Sequence, residues 1–385
     1  MSSISIPPTH PAVASLAPRA PLAIVNQPTL PPGPGQIQVH VTWTSSTPLD
    51  LHVADGGLLV KPEDYPFLMG GSYGGTVVAV GPPPSDGSQA RNLQPGDQVF
   101  GFVPPGCGDP CFQTYINVSS FTASPLPPNL TLQEAVTVSA NLVTVFQAAR
   151  TSLDLEVKWP VEAGWQPHQA SAPILIWGAA SSVGLYAVQV FRHQGYRNVI
   201  AVASEKHHET LRALGATACF DYRQRDVVDK ILAHLPAKEG SDGPKVPYIL
   251  DCIASREETL RPLTRIAERG TRVGILLPVI NVHATRDRAP EYEMDVEKAF
   301  PGGWKEEVRL RGTRANFYHH DKDFRDHLQP EWVPAMLQQG IVHPNKQRVV
   351  EGQTLRERAQ NALDILRDRG ISGEKLVWRV ADSDN

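Results

Sequence analysis

The chain has 385 residues, 41% of them hydrophobic and 20% charged, which are ordinary proportions for a globular protein. Its formal net charge of −4 provides no general attraction to nucleic acid or to an anionic membrane. No apolar run approaches the ~20 residues that a membrane-spanning helix needs, and four cysteines do not indicate a disulfide framework in so long a chain. We therefore expect a cytoplasmic protein with two domains and with no nucleic-acid or membrane partner.

Residues 22–145 are predicted to be rich in β-strands. Residues 36–43 alternate apolar and polar side chains, as a half-buried strand does. Residues 74–81 and 96–103 are short segments that contain Val or Phe and are bounded by glycine, which is also typical of strands. Helical spacing takes over at residues 131–150.

The helical pattern begins at Thr131, which Glu134 follows three residues later in the arrangement of a capping box. Residues 152–172 then form a polar stretch that contains proline and tryptophan. We interpret this stretch as a surface insertion between domains.

Apolar strands alternate with helices between residues 173 and 279. Strands are predicted at 173–177, 198–204, 218–222, 248–254 and 271–279, and helices at 182–194 and 205–215. Such alternation predicts parallel pairing and a doubly wound α/β sheet. Two further helices, at 331–340 and near 354–369, and a closing strand at 374–380 are predicted in the last part of the chain.

A strand, a tight turn and a helix follow one another in "LIWGAASSVGLYAVQVFRHQG", residues 175–195, which is the context of a dinucleotide-binding turn. Glycine allows the backbone of such a turn to approach a pyrophosphate at the helix N-terminus. The candidate residues of the turn are Gly178, Ser181, Ser182, Val183 and Gly184. The two serines replace expected glycines but offer small hydroxyl donors, and an ordinary strand-to-helix turn is the alternative interpretation.

The end of the next strand indicates which nicotinamide cofactor this turn would hold. An NAD site places an acidic residue there to bind the ribose 2′-hydroxyl. This chain has Ser204 and Lys206, and Glu205 comes one residue late, at a helix start where an acid is favoured anyway. A hydroxyl and a lysine suit a 2′-phosphate, so NADPH is preferred over NADH, unless Lys206 is only a surface lysine.

Five segments together resemble the medium-chain dehydrogenase/reductase superfamily. They are "GDQVFGF", "LIWGAASSVGLYAVQ", "LGATACFDYR", "YILDCIA" and "SGEKLVWRV". The resemblance extends from about residue 20 to 380 and is strongest to the zinc-independent fungal branch, which includes quinone-oxidoreductase-like proteins and the trans-acting enoyl reductases of polyketide pathways. It implies a GroES-like β-rich catalytic domain, residues 1–144, a Rossmann domain, residues 145–315, and a return to the first domain at residues 316–385.

The resemblance also assigns cofactor residues outside the turn. These are Tyr222, beside the adenosine phosphate, Cys252, Leu276 and Leu277, near the nicotinamide, and Thr47 and Lys375. Zinc-dependent members of the superfamily carry metal ligands at four places, which here hold Thr47, Gly71, Ser72 and Asn141. None of these side chains supplies a thiolate or an imidazole, so no catalytic zinc is expected.

The implied reaction is the NADPH-dependent reduction of the C=C bond of an α,β-unsaturated carbonyl compound, either free or bound to the carrier of a partner synthase. The candidate donors to the carbonyl oxygen, on which negative charge develops, are Thr144, the 2′-hydroxyl of the cofactor and backbone N–H groups. His52, at a position where zinc members often have a relay histidine, Tyr73 or water would deliver a proton to the α-carbon. His52 could instead cap a buried loop, and Tyr73 could be a packing residue.

Three other functions stay open at this stage. They are quinone reduction, alcohol or carbonyl chemistry, which the missing Lewis acid disfavours, and a non-catalytic NADPH-binding scaffold. A homodimer is also expected, because residues 271–284 form an apolar strand and an alternating stretch that could pair across a two-fold axis. The charged run at 285–298 argues against the dimer, since it could cover that edge.

Overall fold

The computed structural model describes residues 6–85, 91–235 and 243–381. The chain forms two compact units. The first unit comprises residues 1–140, 284–289 and 316–385, and the second comprises residues 141–283 and 290–315. Across the described ranges, we find no helix with the length and apolar character needed to cross a membrane.

The first unit is built mainly of β-strands. Its strands before residue 140 are β1 (Thr9–Ser15), β2 (Ala23–Pro28), β3 (Gln36–Ser46), β4 (Phe67–Leu68), β5 (Ser72–Val80), β6 (Gln98–Phe102), β7 (Tyr115–Ser119) and β8 (Ala123–Pro125). Its helices there are α1 (Pro48–Gly56) and α2 (Leu132–Ala135), with 3-10 turns at Pro62–Asp64 and Ser120–Thr122. The predicted strands at 36–43, 74–81 and 96–103 are confirmed as β3, β5 and β6.

The second unit alternates strands and helices. Its helices are α3 (Ser139–Gln147), α4 (Ser182–His193), α5 (His208–Leu214), α6 (Val227–His234), α7 (Arg261–Ile266) and α8 (Val296–Ala299), with π-helical turns at Ala148–Ser152 and Arg256–Leu260 and a 3-10 turn at Glu205–His207. Its strands are β9 (Pro173–Trp177), β10 (Asn198–Val202), β11 (Ala218–Phe220), β12 (Tyr248–Asp251), β13 (Arg272–Leu276), β14 (Val279–Val282), β15 (Glu291–Glu293) and β16 (Arg309–Thr313).

Six of these strands form one parallel sheet in the order β11-β10-β9-β12-β13-β16. The central strand β9 is buried on both faces, as its continuous apolar sequence predicts: Ile174, Leu175 and Ile176 are fully buried. The chain order reverses on the two sides of β9, which makes its carboxyl end the switch point at which such sheets bind ligands. The predicted doubly wound sheet is therefore confirmed.

The last part of the chain returns to the first unit. It contains a 3-10 segment (Ala315–His320), a π-helical segment (Phe324–Trp332), α9 (Val333–Gln338), β17 (Gln347–Val349), α10 (Leu355–Arg367) and β18 (Lys375–Arg379). Strand β18 pairs antiparallel with β3 in a seven-stranded sheet of order β17-β18-β3-β5-β6-β8, with β7 also paired to β3. Trp378 of β18 is fully buried against Phe112 and donates to the Ser46 hydroxyl at 2.9 Å.

One expectation differs from the structure. The continuous helix predicted at 131–150 is divided into α2 and α3, although its capping box forms, with Thr131 N–H donating to Glu134 Oε2 at 2.8 Å. The division follows α2, where Thr137 N–H donates to the Glu134 carbonyl and Val138 N–H to the Ala135 carbonyl, in the i→i+3 pattern of a 3-10 turn. The stretch predicted to pair across a two-fold axis contains β14, which pairs with β15 of its own chain.

Candidate active site

The turn after β9 lies at the switch point of the parallel sheet. Gly178 N–H and Ala179 N–H both donate to the Val202 carbonyl at 3.0 Å, which fixes the turn against the end of β10. Gly178 has φ of +77°, a left-handed conformation that glycine adopts without strain. A Cβ atom at Gly178 would lie 2.5 Å from Ile253 Cγ1, and one at Gly184 would lie 2.6 Å from Ala179 Cα. Both positions are therefore sterically restricted to glycine.

The two serines of the turn begin helix α4. Ser181 is the N-cap residue, and its hydroxyl oxygen accepts from Gly184 N–H at 3.1 Å. Ser182 and Val183 are the first helical residues, whose N–H groups have no acceptor within a helix. These free donors and the positive end of the helix dipole suit a phosphate group. Together with the close-packed glycines, they form a cradle that fits the pyrophosphate of a dinucleotide.

Cys252, predicted near the nicotinamide, follows β12 and lies beside this turn. Its backbone N–H donates to the Trp177 carbonyl at 2.9 Å, and its thiol hydrogen-bonds with the Ser181 side chain. Burial raises the pKa of the Cys252 thiol well above its ordinary value, so it stays protonated and is a poor nucleophile. Leu276 and Leu277, also predicted there, lie at the carboxyl end of β13 and are partly buried.

The residues predicted to bind the adenosine end of the cofactor follow β10 and β11, two neighbouring strands. Ser204 is buried two residues beyond the end of β10, whereas Lys206 is exposed on the 3-10 turn that follows. Tyr222 follows β11 and is 50% exposed. The flanking residues Asp221 and Arg223, which the sequence analysis did not single out, form an ion pair at this end of the sheet. The sequence shows that both residues lie near the end of the strand predicted at 218–222, but it does not show that their side chains pair.

Helix α1 of the first unit carries the other candidate residues. Its N-cap residue Thr47 donates through both N–H and Oγ1 to Asp50 Oδ2, at 2.6 and 3.1 Å. Lys375, the first residue of β18, is buried, and its positive charge favours the ionised form of Asp50. Burial raises the pKa of Asp50 to about 6 and lowers that of Lys375 to about 8, so both are charged between about pH 6 and pH 8.

His52 lies in the middle of α1 and is 9% exposed. The same helix is fixed near its other end, where Arg367 of α10 binds the buried Asp55 through two hydrogen bonds, of 2.7 and 2.8 Å. Buried bidentate ion pairs of this kind have well-defined geometry. The sequence therefore places a histidine on a helix that is held at its N-cap and near its C-terminus.

Tyr73 lies on a buried strand in the structure rather than in an open loop. It belongs to strand β5 and is fully buried, and its hydroxyl donates to the Thr122 carbonyl at 3.3 Å. Burial raises the pKa of this hydroxyl well above its ordinary value. Of the two interpretations of Tyr73, proton donor or packing residue, the structure favours packing. Thr144 lies on α3 and is half-buried.

The four places compared with zinc ligands carry no group that zinc prefers. Thr47, Ser72 and Asn141 offer a hydroxyl or an amide, and Gly71 has no side chain. Among the described side chains, no three of the types His, Cys, Asp or Glu are grouped to hold a metal ion. Cys107 and Cys111 are buried free thiols, and burial raises the pKa of each.

Comparisons with known proteins agree with this geometry. Residues 33–147 match the family model of the alcohol dehydrogenase GroES-like domain, and residues 182–277 match that of zinc-binding dehydrogenase. The trans-enoyl reductase tazE of Aspergillus terreus is 35% identical over 228 residues, which cover 58% of this chain and 72% of that protein. This chain belongs to the medium-chain dehydrogenase/reductase superfamily. The trans-enoyl reductase himH of Aspergillus japonicus is 25% identical over 358 residues, covering 91% of each chain.

The solved structures of this superfamily confirm the fold. The JamJ enoyl reductase superposes with a TM-score of 0.70 at 17% identity, over 96% of this chain and 99% of that one. The predicted combination of a GroES-like part and a Rossmann-type parallel sheet is thus confirmed. As a member of the medium-chain dehydrogenase/reductase superfamily, the protein is an oxidoreductase that uses a nicotinamide cofactor.

Proposed function

We propose that the protein is an NADPH-dependent and zinc-independent reductase of the C=C bond in α,β-unsaturated carbonyl compounds. The observation that carries the proposal is a dinucleotide turn restricted to glycine at residues 178 and 184, in a chain similar to trans-enoyl reductases. His52 supports the proposal as well, because it offers a buried proton donor on a fixed helix. The positions compared with zinc ligands hold no side chain that zinc prefers.

A reduced nicotinamide held by this turn would supply the hydride that adds to the β-carbon of the substrate. Hydride addition leaves an enolate, which is much less basic than an alkoxide, so hydrogen-bond donors can stabilise it without a metal. We assign the Thr144 hydroxyl to the substrate carbonyl oxygen. His52 delivers the proton to the α-carbon.

Seven residues outside the turn are proposed to contact the cofactor: Thr47, Ser204, Lys206, Tyr222, Leu276, Leu277 and Lys375. Lys375 would contribute a buried positive charge below about pH 8. Ser204 and Lys206 would bind the 2′-phosphate that distinguishes NADPH from NADH. Cys252 would line the turn as a neutral thiol, because its pKa is raised by burial.

The substrate is proposed to be an enoyl compound that is either free or attached to the carrier of a partner synthase. The cytoplasm is proposed as the compartment in which the protein acts. The relatives tazE and himH are both named trans-enoyl reductases, which supports an enoyl substrate.

A panel of NADPH-oxidation assays tests the proposed function. We expect oxidation with enoyl thioesters and enones, little with isolated ketones, and the same rates after treatment with a chelator. Metal analysis should find no stoichiometric zinc. Preference for ketones or quinones would contradict C=C reduction, and NADPH binding without turnover on any substrate would favour a scaffold.

A homodimer stays a prediction. One edge of β14 is occupied by β15, so pairing across a two-fold axis would have to use another edge. Strand β16 ends the six-stranded sheet and offers such an edge, on which the exposed Arg311 is already paired with Asp154. Light scattering should give twice the chain mass of 42.1 kDa, and a mass of one chain would contradict the dimer.

A further inference from the structure

An arginine is held in a fixed position at the end of strand β11. Arg223 Nε lies 3.0 and 3.1 Å from the two carboxylate oxygens of Asp221, and Arg223 Nη2 lies 2.7 Å from Oδ2. The Asp221 side chain is 6% exposed, whereas that of Arg223 is 56% exposed. The carboxylate thus lies behind the guanidinium, whose other edge faces outward.

The ion pair also connects the ends of two neighbouring strands. Asp221 Oδ2 accepts from Glu205 N–H at 3.3 Å, and Glu205 directly follows Ser204 at the end of β10. The negative charge of Glu205 contributes to raising the pKa of Arg223, so the guanidinium lies close to that loop. In a doubly wound sheet, the end of this second strand is where the adenosine ribose of a dinucleotide lies.

We infer that Arg223 binds the 2′-phosphate of the adenosine ribose and that Asp221 positions its guanidinium. This inference rests on the proposed function, because it requires NADPH as the cofactor. Arginine has five N–H donors, and Asp221 engages only the Nε and Nη2 side of the group. The Nη1 donors remain for a phosphate oxygen, in the geometry that arginine uses for phosphate recognition.

Asp221 itself is unsuited to bind the ribose diol of NADH. Its Oδ1 accepts from the backbone N–H and the Nε of Arg223, at 2.9 and 3.0 Å, and its Oδ2 accepts from Arg223 and from Glu205 N–H. The Arg223 side chain beside it holds the pKa of Asp221 well below its ordinary range. The acid at this site is therefore engaged by its own chain, and the outward-facing group is a cation.

Binding measurements with separate probes test the inference without turnover. Calorimetry would give the Kd of NADPH, NADH, 2′,5′-ADP and 5′-AMP for the unmutated protein and for Arg223→Gln. We expect Arg223→Gln to weaken NADPH and 2′,5′-ADP about 10- to 100-fold, as for a lost charge-assisted hydrogen bond. The Kd of NADH and 5′-AMP should change less than about twofold, because these ligands lack the 2′-phosphate.

Arg225→Gln is the matched control, because Arg225 is exposed in the same loop and the substitution is the same. It should leave all four Kd values unchanged. Arg223→Lys keeps the positive charge but not the planar guanidinium, so its Kd for NADPH should lie between those of the unmutated protein and Arg223→Gln. Lys206→Gln measures how much of the preference for NADPH depends on Lys206 instead. Thermal unfolding of each variant identifies any loss of fold.

Three results would overturn the inference. These are equal weakening of NADPH and NADH by Arg223→Gln, no weakening at all, or selectivity lost only with Lys206→Gln. The proposed function fails in a different way. If the unmutated protein binds 2′,5′-ADP through Arg223 but reduces no enoyl substrate, the inference stands and the proposed reaction does not.

Discussion

Alanine in place of Gly178 should weaken NADPH binding by more than about tenfold and destabilise the second unit. Alanine resists the φ of +77° at this position, which costs about 1–2 kcal/mol. Its Cβ would also lie 2.5 Å from Ile253 Cγ1, and forcing extra atoms into a packed site costs about 1–3 kcal/mol more. Relief of this overlap requires either Ile253 or the turn to move, and the turn is the proposed pyrophosphate cradle.

Gly164 provides a matched control for the cost of placing alanine at a positive φ. Its φ of +83° is nearly the same, and an added Cβ there would meet no atom within 4 Å. Gly164→Ala should therefore lower the free energy of unfolding by only about 1–2 kcal/mol and leave the Kd of NADPH unchanged. Denaturant unfolding and calorimetric binding measure the two effects separately. Equal binding losses in both variants would show that the clash with Ile253 does not matter.

The sequence predicts the parts of the fold in which local pattern and tertiary packing agree. Strand β9, the turn and helix α4 were recognisable because a short apolar strand, a glycine and an amphipathic helix occur in immediate succession. Strands β15 and β17 were not predicted. Each is only three residues long, too short to show an alternating pattern, and pairing with β14 and β18 stabilises them.

The candidate site was only partly predictable for a related reason. Residue type and spacing located the glycines of the turn, because a tight turn between a strand and a helix requires glycine for its backbone geometry. The burial of Tyr73 depends on strand β5 packing into the core, which its position beside a Gly-rich segment does not reveal. The ion pair of Asp221 and Arg223 likewise depends on where two side chains point after a strand ends, and sequence spacing does not determine this direction.

Alanine in place of His52 should lower turnover of an enoyl substrate by about 10²- to 10⁴-fold, the usual contribution of a positioned proton donor. The Kd of NADPH should change little, because the substitution removes a group that acts in the transition state. Tyr73→Phe is the matched control. Its hydroxyl is buried on the Thr122 carbonyl, so its loss should cost about 1 kcal/mol of stability and leave turnover unchanged.

Isotope labelling separates the hydride step from the proton step in the same pair of variants. Deuteride from labelled NADPH should appear at the β-carbon, and deuterium from heavy water should appear at the α-carbon. The unmutated protein should place the solvent deuterium on one face of the α-carbon, because a fixed helix holds the donor. His52→Ala should slow this protonation and lose the facial preference, since water would then deliver the proton. Full turnover with an unchanged facial preference in His52→Ala would exclude His52 as the donor.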